Sequence, residues 1–168
     1  MNNQVQISQG EVAKYNLERQ LKSSASWFYW IAALSMINWI ASNLKIGFVM
    51  LFGLGATQAV DGFAQALIQD LGSGYATLLT VVSFVATFAI AGVYALLGIF
   101  GGKRATWAFV IGITLYTLDA MLFIVFKDYM PLFFHAWALI VLLRGPSIIK
   151  KLKALEEAQT PGSNFQSI

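Results

Sequence analysis

Residues 75–102 read YATLLTVVSFVATFAIAGVYALLGIFGG, 28 consecutive positions without a charged side chain. An α-helix needs roughly 20 apolar residues to cross the hydrocarbon core of a bilayer. This stretch is long enough to do so with turns to spare, and it contains no proline. Its small residues are also ordered: Thr80, Ser83, Thr87, Ala91, Ala95, Gly98 and Gly102 follow at steps of three or four. That spacing puts them on one helical face. Small side chains let backbones approach closely where lipid gives helices no hydrophobic reason to associate. The face serves either packing within the chain or contact between two copies.

The flanking sequence repeats the theme. Residues 27–44 supply 18 uncharged positions, and residues 105–126 supply 22 with a single charge, Asp119. Residues 129–149 form another apolar run, interrupted by His135 and Arg144. Over all 168 residues, 58% are hydrophobic and 11% charged, whereas a soluble domain carries about 25% charged residues. So little charge cannot cover the surface of a soluble fold of this size. The chain reads as an integral membrane protein. There is no cysteine, which rules out disulfides, thiolate metal sites and cysteine nucleophiles. A cleaved signal peptide is not expected, because the first 26 residues carry Glu11 and Glu18 and lack an apolar stretch.

Residues 46–69 are apolar but mixed. They hold Gly47, Gly53, Gly55 and Gly62, and the second half carries Gln58, Asp61 and Gln65. Charge distribution decides whether they cross. With five spans, four of the 11 basic residues lie on one side and seven on the other; with 46–69 held on one side, nine lie inside and only Lys45 and Lys127 outside. The positive-inside rule favours the second arrangement. Both termini are then cytoplasmic, with Lys103 and Arg104 in a tight inner loop. Trp27, Trp30 and Trp107 fall near the inner edge, and Tyr75 and Tyr129 near the outer one. The expected fold is all-α: a four-helix membrane bundle with spans at about 27–44, 75–102, 105–126 and 129–149. Residues 46–69 become an outer-face interfacial or re-entrant helix.

The ends are polar. Residues 1–7 are expected to fray, and Ser8 to Glu11 has the S-x-x-E form of a capping box. Lys14–Glu18 and Glu18–Lys22 are spaced for pairing along one helix face, which makes 1–26 a cytoplasmic helix. Gly145-Pro146 marks a break or a new start. Ile148, Leu152 and Leu155 then share a face, so 150–168 reads as an amphipathic cytoplasmic tail along the inner membrane surface, ended by Thr160-Pro161-Gly162.

Asp119 carries the most chemical information. A carboxylate inside a span costs roughly 2.5–3.5 kcal/mol on insertion scales and is a functional hypothesis by default. A short outer turn brings His135 to a similar depth, so the two are expected to pair, with Tyr116 and Thr117 meeting the remaining lone pairs. The pair is either a structural clasp or a proton or cation site. Gln58, Asp61 and Gln65 share a helical face that would cap the same region. Asn38 reads as interhelical glue. One histidine makes tight zinc binding unfavourable, and no metal site or cofactor is expected. H-E-x-x-H, G-x-S-x-G, Walker and G-x-G-x-x-G helix-opening motifs are all missing, so no enzyme activity is expected.

The stretch Gly55-Ala-Thr-Gln58-Ala-Val-Asp61-Gly62, together with Phe134-His135-Ala-Trp-Ala and Arg144-Gly145, resembles uncharacterised small multi-span inner-membrane proteins of bacteria. The resemblance implies a fold and a bacterial inner membrane, with no activity attached. Two functions are expected from the residues. One is association, as an accessory, assembly or regulatory subunit, through the face Thr87, Ala91, Ala95, Gly98 and Gly102 and the amphipathic ends. The alternative is an oligomeric small transporter or ion pathway built on Asp119, His135 and Asp61. The expected partners are the lipid bilayer and a homo-oligomer or larger membrane complex, not nucleic acid.

Overall fold

The structure, a computed structural model, describes residues 2–44, 53–125 and 127–159, apart from the side chains of residues 2–8. It is all-α: α1 (Asn2–Asn43), α2 (Gly55–Leu71), a 3-10 turn (Ser73–Tyr75), α3 (Ala76–Gly102), α4 (Thr106–Val125) and α5 (Met130–Gln159). Three segments, Ser73–Gly102, Thr106–Val125 and Met130–Gln159, are long and apolar enough to cross a membrane. The apolar part of α1 does not join them. Asn38 and Asn43, with the polar-tipped Trp27, Tyr29, Trp30 and Trp39, dilute its hydropathy below that of the other three.

Four long helices share one core. α1 packs on α3 and α5, and α4 packs on α5 and α3. Phe28 and Ile31 of α1, Tyr94 and Leu97 of α3, Phe109 and Tyr116 of α4, and Leu142 of α5 are all buried there. Two glycines set how closely the helices approach. The Phe28 ring lies where a side chain at Gly112 would stand, and the Phe109 ring occupies the same place at Gly145. The outward faces are apolar: Val85, Phe88, Leu118, Phe133, Trp137 and Leu143 are all exposed. An apolar surface of that extent suits a lipid environment.

The small-residue face of α3 turns inward. Thr87, Ala91 and Gly98 are buried and Ala95 is half-buried. A Cβ at Gly98 would stand 3.0 Å from the Tyr29 ring, while one at Gly102 would meet nothing within 4 Å. Close packing therefore uses the first glycine of the GxxxG and not the second.

The ends depart from expectation. α1 is already helical at Asn2, so 2–7 do not fray and Ser8 sits within a helix instead of capping one. No proline interrupts the first 43 residues, and the helical ladder simply continues. α5 likewise runs without interruption through Pro146. Proline there removes one backbone bond, but the packing of Gly145 on Phe109 and the buried Ile148, Ile149 and Leu152 hold the helix together. Those last residues share the core with Leu21 and Ala25 of α1. The apolar face of the tail is thus covered by α1 and not left for the membrane surface. The charges follow: Lys14 pairs with Glu156 at 2.9 Å, and Arg104 bonds both Glu156 at 2.8 Å and Glu18. The expected pairs along α1 give way to pairs between helices. The expected stop at 160–162 lies outside the described residues.

α2 covers the second part of the 46–69 segment; residues 46–52 lie outside the described residues. It buries Gly55, Thr57, Asp61 and Ala64 and packs along α3, with its start against α4. Gly72, at φ +90°, closes it, a backbone conformation that only glycine adopts freely. The chain then turns directly into α3, so α2 and α3 form a helical hairpin.

Candidate functional site

The first backbone amides of any helix have no partner within that helix. α2 begins after Leu54, whose side chain cannot cap it, and no cap bond forms locally. The acceptor comes from α4. Asp119 Oδ2 accepts the Gly55 amide at 2.8 Å, and Asp119 Oδ1 accepts the Ala56 amide at 2.7 Å. The carboxylate also sits where the positive end of the α2 dipole favours negative charge. The Leu54 amide is held separately by Ser35 Oγ at 3.0 Å, and Ser35 itself donates to the Ile31 carbonyl.

The expected pair forms. His135 Nε2 lies 2.9 Å from Asp119 Oδ2, and His135 Nδ1 lies 3.0 Å from the Pro131 carbonyl. A carbonyl only accepts, so Nδ1 carries a hydrogen. The Nε2–Oδ2 contact needs one further hydrogen, shared between imidazole and carboxylate. Both side chains are buried, at 1% and 4% exposure. The His135 ring stacks on Tyr116, with centroids 4.3 Å apart, and meets Phe123 at 5.0 Å. Ring stacking and two hydrogen bonds fix the imidazole from all sides.

Tyr116 and Thr117 do not take the role expected of them. Thr117 Oγ1 donates to the Ile113 carbonyl, and the buried Tyr116 hydroxyl has no hydrogen-bond partner among the described residues. The lone pairs of Asp119 go instead to backbone amides. Nothing in the α4 sequence announces that, although the uncapped start of α2 asks for an outside acceptor.

Asp61 belongs to a second centre. Its Oδ2 accepts from Ser42 Oγ at 2.7 Å, and its Oδ1 from Asn43 Nδ2 and Ser83 Oγ, both at 3.2 Å. Ser83 Oγ in turn accepts from Trp39 Nε1 at 3.0 Å. Asp61 therefore ties α2 to the end of α1 and to α3, and does not join Asp119. Gln58 is half-buried and Gln65 exposed, so the expected polar cap of three side chains over Asp119 does not assemble. Asn38 is buried, against Gly53. Ser42, Asn43 and the polar role of Ser83 are not marked by the sequence pattern, in which Ser83 counts only as a small residue of its helix face.

A cleft of about 420 Å³ between α3 and α4 ends at Asp119. Ile90, Val93, Leu115 and Leu118 line it with Leu54 and Tyr94. Its walls are apolar, so it offers no polar path to the carboxylate. Among the described residues no three of His, Cys, Asp or Glu converge as metal ligands. Two centres, one at each of two points along α2, hydrogen-bond that helix to its neighbours.

Compared with known families, curated proteins and solved structures, the chain matches no family model, no curated protein and no solved structure.

Proposed function

We propose that this chain is a small polytopic protein of a bacterial inner membrane that works by association, as an accessory, assembly or regulatory subunit. In this reading α1, α3, α4 and α5 are four spans with both termini cytoplasmic, and α2 is a re-entrant helix on the outer side. The start of α2 meets Asp119, six residues from the end of α4, a depth of roughly 9 Å at 1.5 Å per residue. The charge pattern supports this orientation, with Lys127 alone among the described basic residues at the opposite end from the others.

The observation that carries the reading is the projecting α2–α3 hairpin. Asp61 meets α1 at its last residues, and α2 continues from residue 61 to residue 71, ten residues further, or roughly 15 Å. Phe63 (68% exposed), Leu71 and Tyr75 stand open on this projection. The Asp119 and Asp61 centres anchor it at its base, which suits a rigid surface offered to another membrane protein. No catalytic chemistry is assigned.

A photo-crosslinking side chain placed at Phe63, with Ile140 on α5 as the control, tests this in native membranes. Adducts to protein from Phe63 and to lipid alone from Ile140 are expected. Lipid adducts alone from both positions would contradict it.

One observation favours the ion-pathway reading. The Asp119–His135 contact holds a hydrogen between two titratable groups, beside the unpartnered Tyr116 hydroxyl. Asp119→Asn separates the two. A clasp keeps nearly all its cellular activity in that variant; a proton carrier is folded but inactive.

A further inference from the structure

Two carboxylates are buried among the described residues, Asp61 and Asp119. Asp119 faces an imidazole. Asp61 faces only the neutral groups Ser42, Asn43 and Ser83, and no described cation lies within ion-pair distance of it. A buried charge without a counter-charge is costly. The place also attracts positive charge, because α1 ends there at Asn43 and a helix C-terminus carries partial negative charge.

The geometry points to a binding site for a monovalent metal cation, sodium, formed by Asp61 with Ser42, Asn43 and Ser83. The two Asp61 oxygens, Ser42 Oγ and Ser83 Oγ supply four oxygens, while the Asn43 amide nitrogen, held by the Trp39 carbonyl at 3.0 Å, orients the carboxylate from the side. The contacts to Oδ1 are 3.2 Å, longer than the roughly 2.5–2.9 Å of charge-assisted hydrogen bonds. Oxygens that ligate a hard cation at about 2.4 Å stand roughly 3.4 Å from one another; Ser83 Oγ, 3.2 Å from Oδ1, is already near that spacing, and Ser42 Oγ, 2.7 Å from Oδ2, moves outward as the ion enters. One carboxylate among neutral oxygens matches one positive charge, whereas calcium sites gather several carboxylates. Ser42 is exposed and gives the ion its entry. The bound ion fastens α2 to α1 and α3 at the base of the hairpin.

The test is the thermal unfolding of the full chain in detergent, in sodium chloride against choline chloride at equal concentration. At ten times Kd, sodium raises Tm by roughly 3–6 °C. Asp61→Asn keeps the hydrogen-bonding shape and loses the response; Ser83→Ala, a smaller change, weakens it and serves if Asp61→Asn does not fold. Lys45→Gln, which removes a basic residue two positions beyond Asn43, leaves the response intact. Equal melting in sodium and choline would overturn the site, as would a sodium response that survives in Asp61→Asn. A response that appears only in Lys45→Gln would also overturn it, by making lysine the native counter-charge.

Discussion

Asp119 holds three groups with two oxygens: the amides of Gly55 and Ala56 and the imidazole of His135. Removing it strands buried polar groups on two other helices. Asp119→Ala should therefore cost about 3–5 kcal/mol, measured by unfolding in detergent. Asp119→Asn, which can still accept from an amide, should cost clearly less. In a double-mutant cycle with His135→Ala, the coupling should fall at about 0.5–3 kcal/mol; additive costs would mean that the two side chains do not meet. Part of this was legible in the sequence. A lone carboxylate in an apolar run and a lone histidine after a short turn are each short of partners, so their meeting followed. The two amides did not follow. Backbone donors carry no residue-type signature, and the one hint, an α2 start of Leu54-Gly55-Ala56 with no capping side chain, shows only once the helix boundary is known.

The helices have separable tasks that single substitutions can distinguish. In the GxxxG of α3, Gly98 faces the Tyr29 ring and Gly102 faces open space. Gly98→Leu should destabilise by about 1–3 kcal/mol through overpacking, and Gly102→Leu should leave Tm nearly unchanged. The sequence pattern marks both glycines alike, because period alone does not say where a neighbouring helix ends its contact. At the other end, Lys14 and then Arg104 hold the Glu156 carboxyl below its ordinary value of 4.5, and Glu156 in turn pushes the Arg104 guanidinium up. A depressed carboxylate stabilises the fold fully above its unfolded value and loses that contribution as pH falls through the folded one. Acidification below 4.5 should therefore loosen the α1–α5 stem first. Faster amide hydrogen exchange in residues 9–22 and 148–159 would report it, and Glu156→Gln should lessen that acid sensitivity, with the Arg104–Glu18 pair left in place. The tail reading failed for a physical reason: an amphipathic face shows that something covers it, not whether lipid or another helix does.

At the scale of the whole molecule, apolar runs and charge asymmetry gave an all-α chain with long apolar helices, while the association of the first half of α1 with the last residues of α5 was not visible. Long-range pairing of two amphipathic ends leaves no trace in either end alone. The absence of cysteine makes topology directly measurable. Single cysteines at Leu44, Asp70 and Asp128 should label from outside in intact cells, and one at Lys103 only after permeabilisation; labelling of Leu44 and Asp70 from opposite sides would make residues 45–69 a crossing segment. The central claim is that one buried junction, Asp119 with His135 and the start of α2, holds the α2–α3 hairpin to the other helices. His135 is the only histidine, so nitrogen-15 labelling of histidine gives one ring and two nitrogen signals from the protein in lipid. The account predicts a single set of signals with both ring nitrogens hydrogen-bonded, altered by Asp119→Ala and untouched by Asp61→Asn. A freely tautomerising imidazole, indifferent to Asp119→Ala, would contradict it.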